Sequence, residues 1–187
     1  MKRTSLLSLA LFVLLLLLWE GVVRTTGVSA LVVPAPSAVL IVLLEGLTVG
    51  FLWPHIWVTS VETLAGFALG CVIGFIAGVI LAEIEFLRQL LWPYVLASQV
   101  VPKLALGPIF IVWFGFGMTS TIVITALICF FPLLENTRTG LQSVSPNKRD
   151  LFRMLGATRW QMLIKLKVPS GLPVIMAGIR IAIVLAL

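Results

Sequence analysis

Residues able to make or break bonds are scarce in this chain of 187 residues. Its single histidine, His55, has no cluster of imidazoles or thiolates around it in the sequence with which to share a zinc ion. Cys71 and Cys129 both fall inside apolar runs, where they read as small buried side chains rather than as a disulfide or metal pair. There is no G-x-x-x-x-G-K-[ST] phosphate loop, so ATP hydrolysis by this chain is excluded. Neither a G-x-S-x-G elbow nor a Ser-His-Asp set occurs. Glu20, Glu45, Glu62 and Glu135 are scattered and supply no convergent acid and base. No catalytic residue, no metal ligand and no bound cofactor is expected.

The spacing that does carry meaning runs from Ser145 to Pro173 and suits a grip rather than a reaction. Ser145 is placed as an N-cap, with Pro146 at the first helical position, where a missing N–H is no loss. Leu151, Met154 and Leu155 recur at i, i+3 and i+4 and draw one apolar stripe, while Lys148, Arg149, Asp150 and Arg153 hold the other faces. Gly156 is placed to end this helix in the left-handed conformation. Thr158 with Gln161 three residues later fits a capping box that starts a second helix. Lys165 and Lys167 fall in its last turn, and Pro169 and Pro173 are expected to stop it. Two short helices joined at a glycine elbow, presenting Leu151, Phe152 and Trp160, suit capture by another protein.

The rest of the chain must hold that segment at a membrane. Hydrophobic residues make up 60% of the chain and charged residues 11%, against about a quarter charged in soluble domains. The net charge of +6 resides in a loop at 136–171, where Arg138, Lys148, Arg149, Arg153, Arg159, Lys165 and Lys167 face only Asp150. The positive-inside rule accounts for this better than nucleic acid does, and places the loop in the cytoplasm. Spans are expected at about 6–23, 57–81, 89–113, 120–134 and 172–187, giving an all-α polytopic membrane bundle with one transmembrane domain over 1–187. Met1-Lys2-Arg3 and Leu6 to Leu18 look like a signal peptide. Trp19-Glu20 follows instead of a cleavage site, so an uncleaved span with a cytoplasmic N-terminus is expected.

Between the first two spans, Val33 to Ser37 reads as a turn with Ser37 as a cap. Val39, Leu40, Leu43, Leu44 and Leu47 suggest an amphipathic or partly inserted helix. Trp53 and Trp57 fit an interfacial belt. Gly66, Gly70, Gly74 and Gly78 are four apart and share one face of the second span, where another helix can approach to backbone contact. The third span holds Pro93, Ser98, Gln99, Pro102, Lys103, Gly107 and Pro108, so it is expected to be buried in protein or to line a cavity. Lys103 must there find a partner, snorkel or face water, with Glu62 a candidate partner. Alternatively, Pro102-Lys103 marks a break near the cytoplasmic surface. Arg180 poses the same problem in the fifth span. That span is about 15 residues from Pro173 to Leu187, short of a crossing, so the chain reads as C-terminally incomplete.

The Ser145–Pro173 segment resembles the cytoplasmic loop of permease subunits of binding-protein-dependent ABC importers. That loop carries Glu-Ala-Ala, three residues, Gly, nine residues, Ile-x-Leu-Pro. Here Asp150-Leu151-Phe152, three residues, Gly156, nine residues and Leu166-Lys167-Val168-Pro169 occupy the pattern, with Leu151 and Phe152 in place of the two alanines. Val101 to Pro108, Trp113 to Gly117, Phe130 to Pro132 and Asn136-Thr137 also resemble that family. They look most like its branch for nitrate, sulfonates, taurine, the pyrimidine precursors of thiamine, and riboflavin. The resemblance covers roughly Pro34 onward.

It implies a homodimeric permease in the cytoplasmic membrane, alternating between inward- and outward-facing packings. A separate cytoplasmic ATP-binding subunit, carrying ATP and Mg, would hold Asp150, Leu151, Phe152, Leu155, Gly156, Ala157, Arg159 and Trp160. An extracytoplasmic binding protein would deliver a small organic solute, and Lys103 and Arg180 are candidates for the path it follows. The rival from another class is a non-transporting anchor subunit of a membrane complex. A channel finds no ring of like charge or carbonyl-rich filter in the sequence.

Overall fold

The computed structural model describes residues 2–187, with the side chains of 2–4 and of Leu104 outside the description. Met1 and the Lys2 and Arg3 side chains, which form the expected charged start, therefore lie outside it. All regular elements among the described residues are helical. They fall into two compact units, Met1–Trp57 and Val58–Leu187.

The first unit begins with α1, Lys2–Thr26, whose leucine-rich face-to-face apolarity covers the expected first span. α2 spans Pro36–Val49. It is apolar on all sides, with Glu45 its one charged residue, and so lacks the polar face of the amphipathic helix expected there. Ser37 does not cap it, because Ala35 holds the N-cap position. Glu20 of α1 does the work instead: it accepts from the Ser37 N–H at 3.0 Å and from the Ser37 hydroxyl at 2.7 Å, while Arg24 donates to it at 2.6 Å. A carboxylate at an N-terminal turn satisfies otherwise orphaned N–H groups and favours the helix dipole. α2 ends at Gly50, whose φ of +91° is the left-handed conformation typical of a helix stop.

α3, Leu52–Glu83, starts in the first unit and supplies one wall of the second. It is followed by α4, Glu85–Val100; α5, Gly107–Phe114; α6, Met118–Gln142; α7, Pro146–Met154; and α8, Arg159–Ala186. α6 is the axis of this unit. Cys129, Leu133, Leu134, Thr137 and Leu141 on it are buried. Against one side lies the glycine stripe of α3. A Cβ on Gly66 would stand 2.5 Å from Thr125, on Gly70 2.4 Å from the Ala126 carbonyl, on Gly74 2.5 Å from the Phe130 carbonyl, and on Gly78 2.7 Å from that of Leu134. The two backbones are therefore in contact over three turns, as expected from the spacing. In lipid, where apolar area gains little by leaving water, such close packing is what drives association. On the other side α8 brings Gly171 against Gly140 and Gly178 against Asn136, with Ile175 and Ala182 buried between and beyond.

Among the described residues, four helices are long and apolar enough to cross a bilayer: Ser5–Thr26, Leu52–Glu83, Met118–Gln142 and Arg159–Ala186. The span expected at 89–113 is not one continuous helix: a break falls at Pro102-Lys103, as the alternative reading of that pair had it. α4 stops at Val100, Val101 is extended (φ −73°, ψ 121°), and a 3₁₀ turn at Lys103–Leu106 leads into α5. Proline at 102 pushes the preceding residue out of the helical region, which accounts for the break. α6 runs eight residues past the expected end at 134. The polar residues read as loop instead bond along the helix: Arg138 donates to Glu135 at 2.7 Å and to Gln142 at 3.0 Å, and Thr139 donates to Glu135 at 3.1 Å. Nor do Pro169 and Pro173 stop the last helix. A π segment at Leu163–Lys167 precedes Pro169 and widens the turn into which its ring would otherwise drive the Lys165 carbonyl, so α8 is continuous from Arg159.

Candidate functional site

The loop between α6 and α8 is held by its own local chemistry. Pro146 occupies the first turn of α7 as expected, but the Ser145 hydroxyl makes no cap bond; its carbonyl accepts the Arg149 N–H at 3.3 Å. At the other end, Leu155 and Gly156 donate to Leu151 and Arg153, and Ala157 donates back to Phe152, each at 3.0 Å. The i+5 bond from Ala157 with the i+3 bond from Gly156 is a Schellman close, and Gly156 takes the φ of +72° it requires. Thr158 then caps the next helix reciprocally: its hydroxyl accepts from the Gln161 N–H at 3.2 Å and its N–H donates to the Gln161 side chain at 2.9 Å.

This elbow sets out an apolar surface. Leu151, Met154, Leu155 and Trp160 are 54%, 85%, 73% and 68% exposed, far from the burial such side chains ordinarily reach. Phe152, expected to be presented with them, is half-buried. Asp150 is exposed and paired within its own helix to Arg153 at 3.1 Å. Arg159 opens into a cleft of about 600 Å³ shared with Glu83, Glu85, Arg153, Ala157 and Lys167.

Two ties fasten the elbow to the bundle, and neither was read from the sequence. The Arg149 guanidinium donates to the Gln142 carbonyl at 3.0 Å and to the Val144 carbonyl at 2.7 Å, closing the C-terminus of α6 where carbonyls lack helical donors. Lys167, on the π segment, donates to Glu83 at the end of α3 at 2.6 Å. The pair is only partly exposed, at 14% and 24%, so it is screened less than a surface pair. Next to it Glu85 is held below the usual carboxylate range by hydrogen bonds from Gln89 and Arg88. Arg138 stacks on Trp92 at 4.2 Å, joining α6 to α4. A signal for Gly171 and Gly178 did exist, since residues seven apart share a helix face. Glu83 and Lys167 lie 84 positions apart and offer none.

Lys103 does not pair with Glu62. Its ammonium donates to Gln99 at 2.8 Å and lies 5.9 Å from the centre of the Phe131 ring. Arg180 is exposed on α8 and does not line the cavity beside Lys103, so the two basic residues are not brought together.

Residues 70–187 match the family model described as binding-protein-dependent transport system inner membrane component. The chain is 38% identical over 173 residues to the riboflavin transport system permease protein of Chloroflexus aurantiacus, covering 92% of this chain and 65% of that one. It is 34% identical over 175 residues to the formylaminopyrimidine transport permease protein of Halalkalibacterium halodurans, covering 94% and 69%. To the taurine transport system permease protein of Escherichia coli it is 29% identical over 188 residues, covering 98% and 68%. The chain thus spans about two thirds of the length of these relatives.

Proposed function

The chain belongs to the family of binding-protein-dependent transport system inner membrane components, a family of multi-pass importer permeases for small solutes, and from that premise we propose that it is the permease subunit of an ATP-driven importer. A separate ATPase subunit, binding ATP and Mg, grips Asp150 to Trp160 from the cytoplasm. Its closure moves the elbow and rocks the spans between two packings. A binding protein hands a small organic solute to the opposite face, and two copies of the chain form the pathway in the cytoplasmic membrane. Riboflavin, formylaminopyrimidine and taurine in the names of the relatives point to small organic molecules as the cargo.

The observation that carries this reading is the elbow itself. It exposes Leu151, Met154, Leu155 and Trp160 on a rigid turn that is fastened to α6 by Arg149 and to α3 by Lys167. A surface so built can receive a push and pass it to two spans at once. A Cβ at Gly156 meets nothing within 4 Å, so a bulky residue there enters open space rather than the bundle, and the strain it brings at a φ of +72° falls on the elbow itself. Purification of the tagged chain in mild detergent from its own cells tests the reading. The parent chain is expected to bring down an ATPase subunit and Gly156→Trp to lose it, with equal membrane insertion. Recovery of the ATPase by both, or by neither, refutes the assignment of the elbow.

A further inference from the structure

An open groove runs lengthwise between α3 and α8. Two cavities of about 380 and 290 Å³ form it, and they are continuous because Phe75, Ile76 and Val168 belong to both. Cys71 and Ile179 stand at its deep end, and Ile80, Trp160 and Leu163 at the end near the elbow. Its side chains carry no charge, and offer no hydrogen-bond donor beyond the Cys71 thiol and the Trp160 indole. Both walls belong to helices long and apolar enough to cross a bilayer. Along α3 the stretch from Ile80 to Cys71 covers about 14 Å at ~1.5 Å per residue. That is the depth of one leaflet in a hydrocarbon core of about 30 Å.

At the elbow the groove meets the cleft of about 600 Å³, since Ile80 lies one turn from Glu83 and Ile84, and Trp160 and Leu163 alternate with Arg159 and Met162. The charged residues on the cleft wall are Glu83, Glu85, Arg153, Arg159 and Lys167. Four of them already have partners: Lys167 pairs with Glu83, Arg153 with Asp150, and Glu85 with Arg88. Arg159 has none. Among the described residues its guanidinium makes no ion pair and no hydrogen bond. The cleft therefore carries one uncompensated positive charge, on the side chain whose planar fork suits a phosphate. Trp160 stands where cleft gives way to groove, as tryptophan does where hydrocarbon gives way to head groups.

We propose that groove and cleft together hold one anionic phospholipid from the leaflet that meets the elbow. Its phosphodiester accepts from Arg159, an acyl chain lies between α3 and α8 as far as Cys71, and Trp160 packs at the level of the glycerol. The inference needs only that the chain spans a membrane and stands apart from the importer reading. Charge and length together select this occupant. One phosphodiester matches one free guanidinium, and basic pockets between membrane helices take anionic head groups in this way. A helix from a second copy would fill the groove but leave Arg159 unanswered. A soluble anion would answer Arg159 without using the groove. A zwitterionic lipid brings an ammonium that cancels the charge Arg159 needs. Leu151, Met154 and Leu155 line none of the three cavities, so the face offered to a partner protein stays open with the lipid in place.

The test titrates the full chain, stripped of lipid in detergent, with phosphatidylglycerol and separately with phosphatidylcholine of the same acyl chains, and counts bound copies by native mass spectrometry. One phosphatidylglycerol is expected to bind about tenfold or more tightly than phosphatidylcholine. Arg159→Gln should weaken it about tenfold, the loss typical of a hydrogen bond to a charged group, and so bring the two lipids level. Lys165→Gln removes a charge from an exposed side chain that lines none of the three cavities, and should change neither. Ile76→Trp fills the groove where its two cavities join, leaves Arg159 in place, and should weaken phosphatidylglycerol as much as Arg159→Gln does. Equal affinity of the parent for the two lipids overturns the proposal, as do equal effects of Arg159→Gln and Lys165→Gln. Undiminished binding by Ile76→Trp, shown by its unfolding transition to be folded, overturns the part given to the groove. Competition by glycerol 3-phosphate at the concentration of the lipid would make the cleft a site for free phosphate and overturn the lipid. A dimer that retains no lipid would give the groove to a second copy and overturn it too.

Discussion

Replacing Gly70 with alanine isolates the contact on which the α3–α6 pair depends. The added methyl carbon would sit 2.4 Å from the Ala126 carbonyl oxygen and 2.9 Å from the Cys129 side chain. Ordinary contact lies near 3.5 Å, so about 1 Å must be recovered. The atom in the way is backbone inside a helix and cannot rotate aside. The helices must separate, and the neighbouring contacts at Gly66 and Gly74, both 2.5 Å from a hypothetical Cβ, loosen with them. Overpacking of this kind destabilises by about 1–3 kcal/mol, while alanine in a helix interior gains back about 1 kcal/mol over glycine.

The net expectation is a loss of up to about 2 kcal/mol, or a fall of up to about 8 °C in unfolding midpoint for a chain of this size. Gly21 is the control. It lies inside α1 with nothing within 4 Å of its Cβ position, so Gly21→Ala takes the propensity gain with no clash and should be neutral or stabilising. Thermal unfolding in detergent can be followed with a thiol-reactive fluorophore in a Cys71→Ser background, because the Cys129 side chain is wholly buried in the folded protein whereas that of Cys71 is only half-buried. A midpoint for Gly70→Ala above that of the parent, or as high as that of Gly21→Ala, would refute the account of the stripe.

The Lys167–Glu83 pair predicts a charge-swap result: Lys167→Glu and Glu83→Lys each lower stability by about 1–2 kcal/mol, and the double swap recovers most of it. Transport coupling in cells should follow the same pattern if the tie passes motion from the elbow to α3. Arg149→Ala removes the donors from the Gln142 and Val144 carbonyls and should cost about 1–3 kcal/mol locally, visible as faster amide exchange in α7 with little change in α3. Glu85 should titrate below the ordinary glutamate value, and Gln89→Ala should raise it again, as carbon-detected NMR of the carboxyl would report. Because the folded pKa is the lower one, whatever stability the group adds is complete at neutral pH and is lost as pH falls through that lowered value.

The parts of this fold that were legible in the sequence are those set by spacing within one helix or turn. The Gly66–Gly78 stripe, the left-handed Gly156 and the Thr158–Gln161 cap each depend on residues a few positions apart, and each stands in the structure as the spacing predicts. The misreadings came where a local rule met a neighbour. Polar residues after Leu134 looked like loop, yet Glu135, Arg138, Thr139 and Gln142 bond to one another and prolong α6. Pro169 looked like a stop, yet a wide turn ahead of it accommodates the ring. Ser37 looked like a cap, yet Glu20 from another helix took that place. Contacts such as Lys167 with Glu83, or Gly140 with Gly171, depend on which helices become neighbours, and one chain's spacing carries no record of that.

The π segment at Leu163–Lys167 has a consequence for rotational phase. An α-helix turns by about 100° per residue, and a π turn absorbs one extra residue without advancing the helix. The segment therefore determines which way Gly171 and Gly178 point relative to the elbow at Gly156. Removing one residue between Leu163 and Lys167 would let the ordinary hydrogen-bond ladder close, and the two ends of α8 would lose their present alignment. Either the glycines swing off α6 and side chains too large for the gap replace them, or the elbow swings and its apolar face leaves its present direction. The single surplus residue thus acts as a phase key between the exposed apolar elbow and the helix that packs on α6, and a shortened chain could keep every side chain named here while losing the agreement between them.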